Sequence, residues 1–174
     1  LWTAGIEGSL VPQYLPHETL AEGCGLSVAL AFVGAGSLGK LRFTHVTSAK
    51  VRDEGWNFKE MLDRGRGNLT DGLRIDASET AQGTMLTLHR SGTPAAGALA
   101  LHDLHRNVAQ ILGGTEFLVG VPSIFELMIA RSDQPIGSHV RTATASAGPI
   151  PPWVVPTVLA LNADGLRLVD EHRP

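Results

Sequence analysis

LGGTEFLVGVPSIFELMIA, residues 112–130, carries the pattern that decides the fold. Phe117 to Val121 is a short apolar run that halts at Pro122. Ser123 to Phe125 read as a turn, and Glu126 to Arg131 resume the run as a further strand. Just upstream, Leu101, Leu104, Val108, Ile111 and Leu112 recur at three and four residues. That spacing predicts a helix entered at Pro94, with Thr93 as its N-cap, and stopped by Gly113 and Gly114. Downstream, Pro135 to Ala147 holds few large apolar residues and is assigned to a helix. TVLAL and LRLV then flank Asn162 to Gly165, where Asp-Gly marks a turn between antiparallel strands.

The same reading extends toward the N-terminus. LRIDASE and TMLTLHR alternate around Ala81, Gln82 and Gly83, which predicts a second hairpin. Trp56, Met61 and Leu62 fall on helical spacing behind Asn57, a suitable N-cap, giving a helix over Asn57 to Leu69 whose C-terminus Asn68 caps. LSVALAFV, residues 26–33, and LRFTHVTSAKV, residues 41–51, read as two strands around the turn GAGSLGK. Residues 1–25, with Pro12, Pro16 and several glycines, show neither period and are taken as an irregular N-terminal arm. The order has many hairpins and few crossovers. It implies one α+β domain over residues 26–174, a largely antiparallel mixed sheet of hairpins with two or three helices packed on it.

Composition narrows the classes of function. The 174 residues are 43% hydrophobic and 18% charged, with a net charge of −3, an ordinary globular balance for one domain. The 14 Lys and Arg residues form no cluster able to neutralise several phosphates, so nucleic acid is not expected as a partner. Cys24 is the only cysteine, which excludes an intrachain disulfide and fits a reducing, cytoplasmic setting. The longest apolar run, around Val28 to Val33, is far short of the roughly 20 residues of a spanning helix, and no membrane partner is expected. The start at Leu1, without a methionine, suggests residues missing upstream.

Four segments resemble a known family in pattern and order: LAEGCGLSVALAFV with LRFTHVTSAKV, WNFKEMLDRGRGNL, ILGGTEFLVGVPSIFELMI, and PPWVVPTVLALNADGLRLV. They resemble the bacterial YtpQ-type proteins, a family whose domain has no assigned function, over about Leu20 to Val169. The resemblance implies a bacterial α+β protein and no particular reaction. It departs after Val121, Pro122 and Ser123, where Ile124 and Phe125 stand in place of an Arg-Asp pair, so any polar role of that pair is lost here.

Several constellations bear side chains suited to chemistry. Gly34, Gly36 and Gly39 spell a dinucleotide fingerprint after an apolar strand, but that loop requires a helix to begin within it, and LRFTHV alternates like a strand. A glycine-rich hairpin turn is favoured, and no cofactor is implied. His102 and His105 lie three apart on the strongest helix, beside Asp103 and Arg106. Two imidazoles do not make a metal site, because a catalytic metal usually takes three protein ligands. A boundary face is favoured, since Leu101, Leu104 and Val108 claim the buried stripe. Ser123 at a strand end lacks a nucleophile-elbow motif and reads as a turn cap, with Glu126 the nearest acid. Trp153, in the proline-rich GPIPPWVVP, is a candidate partner contact. The expectation is a non-catalytic binding or accessory module that meets a protein partner through a sheet edge or apolar surface. The alternative is a small-molecule hydrolase with a His/Asp-based, optionally metal-dependent site built from His102, Asp103, His105, Arg106, Ser123 and Glu126.

Overall fold

The computed structural model describes residues 2–4, 15–21, 26–36, 41–90, 94–147 and 156–171. Its centre is an antiparallel sheet of six strands: β6 (Leu73–Thr80), β7 (Gly83–Arg90), β8 (Phe117–Ser123), β9 (Glu126–Arg131), β10 (Thr157–Asn162) and β11 (Gly165–Glu171). Their spatial order is β11-β10-β8-β9-β7-β6, so the three hairpins expected from alternation and turn residues all form. The opening stretch supplies the middle of the sheet. Phe117, Val119 and Val121 point to one face, while Leu118 and the side-chain-free Gly120 point to the other, and all are buried. Burial on both faces explains why β8 reads as a continuous apolar run.

Each face has its own cover. Phe117, Val119, Val121, Leu127, Ile129, Leu86, Leu88 and Leu159 pack beneath the 3₁₀ helix Ala95–Ala100 and α3 (Leu104–Leu112). Leu118, Met128, Ala130 and Val158 pack beneath α4 (Ile136–Ser146). Pro122 does not end its strand. It stands where the β8–β9 register shifts between Gly120 and Ser123, so its missing N–H interrupts no regular pairing there.

The helix expected from Pro94 to Leu112 is two elements. Ala95 to Ala100 form the 3₁₀ turn, Leu101 is extended, and α3 begins only at Leu104. All six residues of AAGALA are buried; small side chains suit a tight 3₁₀ turn laid flat on the sheet. Because α3 starts late, its inward stripe is Leu104, Val108 and Leu112, and Ile111 is left exposed. Thr93 lies outside the described residues.

Three further expectations change. The arm taken as irregular contains β1 (Trp2–Ala4) and β2 (His17–Thr19), which pair antiparallel with the two sides of β3 (Ser27–Ala29). Three-residue strands are too short to display a period, which hid them. The run LSVALAFV divides at Leu30: β3 belongs to this small sheet, while β4 (Ala31–Ala35) pairs with β5 (Leu41–His45) as the expected hairpin. The strand expected to continue to Val51 stops at His45, because Thr47 accepts a hydrogen bond from the Lys50 amide at 3.2 Å and caps α1 (Ser48–Asp53). Asn57 caps α2 (Phe58–Thr70), accepting from Lys59 N at 3.0 Å and Glu60 N at 3.4 Å. The helix runs past Asn68, and its exit turn uses Gly72 at φ +74°. A third core cluster of Val28, Leu30, Val46, Leu62 and Ala100 joins these elements to the 3₁₀ helix.

Candidate functional site

Two places in the fold gather the features that function requires: a polar cleft around Arg66 and the free edge of the six-stranded sheet.

The cleft of about 290 Å³ lies between β2, α2, the start of α3 and the β10–β11 turn. Arg66, on the inward stripe of α2 with Leu62 and Leu69, is only 8% exposed. Its guanidinium donates from Nε to the Ala100 carbonyl at 2.8 Å, from Nη1 to Asp63 at 3.0 Å and from Nη2 to Glu18 at 2.5 Å. A buried cation is tolerated when paired and hydrogen-bonded, and these three contacts do both. They also tie β2 of the arm to α2 and to the 3₁₀ helix. Sequence reasoning overlooked Arg66, although its position four residues after Leu62 and three before Leu69 marks it as inward-facing.

His102 and His105 both line this cleft. His102 is exposed. His105 is half-buried, with Nε2 3.0 Å from the Thr115 carbonyl oxygen and its ring tilted against Phe117 at 5.6 Å. Its role there is to brace α3 against the start of β8. Asp103 precedes α3 without a side-chain cap bond and meets Arg106 at 3.3 Å in a mostly exposed ion pair. Among the described residues, no group of three or more His, Cys, Asp or Glu side chains is placed to hold a metal ion.

Ser123 and Glu126 stand elsewhere. Ser123 Oγ accepts from Phe125 N at 3.2 Å, so it caps the β8–β9 turn, and Glu126 faces it across that turn. His105 touches Phe117 at the other end of β8, and six residues of strand separate the two positions by about 20 Å. The candidate residues thus form two groups, not one constellation. Trp153, Cys24 and most of the glycine turn, residues 37–40, lie outside the described residues. Leu41 to His45 are strand, so the glycine run leads into no helix.

The sheet edge is the second feature. β6 pairs with β7 alone among the described residues. Leu73 is half-buried and Arg74 to Thr80 are all exposed, including Ile75 at 44%. Among the described residues the cover ends at Leu73, which packs on the main core. Ile75, Ala77 and Glu79 continue its row on the face shared with Leu86 and Leu88, and Arg74, Asp76 and Ser78 lie on the other. The opposite edge, β11, differs: Leu166 and Leu168 pack on the core, and a register shift beside Val158 makes it irregular.

No helix among the described residues is long and apolar enough to cross a membrane. No family model matches the sequence, and no match is found among curated proteins or solved structures. The fold therefore defines the chain at the level of its class, an α+β protein built on a six-stranded antiparallel sheet.

Proposed function

We propose that this chain is a non-catalytic binding module, similar to the YtpQ-type proteins of bacteria, that takes an extended protein segment along β6. The observation that carries the reading is the eight-residue edge strand, paired on one side alone among the described residues, with Leu73, Ile75 and Ala77 followed by Glu79 on one face and Arg74 and Asp76 on the other. An edge strand offers unpaired backbone N–H and C=O groups, and a peptide adding as a further strand satisfies them while side chains set specificity. The hydrolase reading draws on the cleft that brings His102 and His105 together. It ranks second, because His105 is engaged with the Thr115 carbonyl and Ser123 and Glu126 sit at the far end of β8.

The test is site-specific photo-cross-linking. A photoreactive residue at Ser78 on β6, compared with one at Arg167 on the opposite edge, is exposed to lysate of the source cells. A protein, this chain included, cross-linked from Ser78 and competed by excess unlabelled chain is the expected result. Equal labelling from both positions would overturn the reading.

A further inference from the structure

β6 has a self-complementary sequence once it is known to be an edge. We propose that the segment it receives is the β6 strand of a second copy of this chain, paired antiparallel about a two-fold axis at Ile75. This rests on the strand-binding reading above and names its partner.

In a two-fold antiparallel join, residues equally far from the axis on opposite sides face each other and share one face of the continued sheet. Centring the axis on Ile75 sets Arg74 opposite the partner's Asp76, and Asp76 opposite the partner's Arg74. On the other face, Leu73 meets the partner's Ala77, and Ile75 meets its own copy. Within the paired residues, Leu73 to Ala77, both charged pairs are attractive and the apolar row is extended by an identical row. Glu79 falls beyond the pairing, on the side of the partner's Asp71, where strand has given way to the turn after α2. The neighbouring registers lack this match. An axis at Arg74 or at Asp76 places a charge opposite its own copy, and an axis at Ala77 sets Glu79 against Ile75.

The geometry of β6 also permits the join. All eight residues pair with β7 without a register shift, so the free side is an unbroken edge among the described residues; the join uses its first five, Leu73 to Ala77. Natural edges are commonly blunted by charge, bulges or cover. Among the described residues β6 has no bulge and, beyond Leu73, no cover, and its Arg74 and Asp76 repel most incoming strands while matching their own copies. Asp76 Oδ2 also lies 3.4 Å from His89 Nδ1 on the same exposed face. β11 is half-covered and carries an irregularity, so it does not compete for the role.

A join of this size is weak, so sedimentation equilibrium is run over concentrations from about 10 μM to about 1 mM. Four proteins are compared: wild type, Arg74→Asp, Asp76→Arg and the double reversal, each checked for wild-type circular dichroism and thermal midpoint. Wild type is expected to dimerise, and each single reversal to weaken dimerisation by about tenfold or more. The double reversal restores it. The decisive sample is the equimolar mixture of the two single variants, in which every opposed pair is again Arg with Asp, and which is expected to form heterodimers more tightly than either variant self-associates. A monomeric wild type, a dimer indifferent to Arg74→Asp, or a mixture that does not associate would each overturn the self-pairing. A monomer that still cross-links another protein from Ser78 removes the second copy alone; a monomer with no β6-specific cross-link removes the strand-binding reading as well.

Discussion

Gly120 is where helix α4 comes closest to the sheet, and replacing it with alanine is a direct test of that packing. A Cβ built at Gly120 lies 2.3 Å from Thr144 Oγ1 and 2.9 Å from Val140 Cγ1. Neither neighbour moves away easily. Thr144 is 1% exposed with its hydroxyl donating to the Val140 carbonyl at 2.8 Å, and Val140 is fully buried. Nor does α4 have room to shift, because a Cβ at Gly137, one turn earlier, would already meet Leu118 Cδ1 at 3.1 Å and the Arg131 carbonyl at 3.2 Å. Overpacking of this kind costs about 1–3 kcal/mol. Gly120 is not among the glycines with positive φ, so alanine also stiffens the unfolded chain and returns about 0.4–1 kcal/mol. Overpacking wins, leaving a net loss of about 1–2 kcal/mol, or about 2–8 °C in Tm for a chain of this length. Urea denaturation of wild type, Gly120→Ala, Thr144→Ala and the double variant measures it. Removing the Thr144 hydroxyl and methyl relieves the tighter of the two clashes and leaves that with Val140, so the double variant is expected to be more stable than the summed single losses by about 1 kcal/mol. Gly120→Ala within about 0.5 kcal/mol of wild type, or strictly additive losses, would refute the close approach.

Other sites give separate tests. Arg66→Met leaves the buried Ala100 carbonyl without its donor, while Glu18 and Asp63, both about half exposed, regain water; a loss of about 2–4 kcal/mol in urea denaturation is expected, with faster proteolysis near β2. Asn57→Ala removes the acceptor for two amides at the start of α2 and is expected to cost about 1 kcal/mol, while Asn57→Asp keeps it. Asp133 is held below the ordinary carboxylate value of 3.8 by its hydrogen bonds with Arg131, at 2.9 and 2.6 Å. Its folded pKa is the lower one, so this pair supports the fold above the unfolded value and loses that support as pH falls through the folded value. An NMR titration is expected to show Asp133 moving back up in Arg131→Ala, and an unmoved carboxyl would show that the ion pair does not set it.

Much of the fold was legible because it is local. The β6–β7, β8–β9 and β10–β11 hairpins each announce themselves by alternation or an apolar run closed by turn residues, and α2 by Asn57 and its spacing. The failures have local causes too. Leu101, Leu104 and Val108 keep helical spacing across a break, since a 3₁₀ turn followed by one extended residue returns the chain to the same face. β1 and β2 are too short to show any period, and their pairing with β3 is decided by partners distant in sequence.

The functional features were less legible, for a different reason. Arg74 and Asp76 are plain in LRIDASET, but an alternating strand looks alike in the middle of a sheet and at its border. Only the order β11-β10-β8-β9-β7-β6 reveals that β6 is last, and that order depends on β9, more than forty residues further on, inserting between β8 and β7. The same non-locality separates the His102 group from Ser123, since only the length of β8 shows that they occupy opposite ends. A sequence motif can propose which residues have the right chemistry, but it cannot say which backbone remains unpaired. In this chain the unpaired backbone carries the stronger functional argument. An edge strand with two opposite charges one residue either side of Ile75 has the means both to resist indiscriminate pairing and to accept its own copy, and those two properties follow from the same pair of side chains.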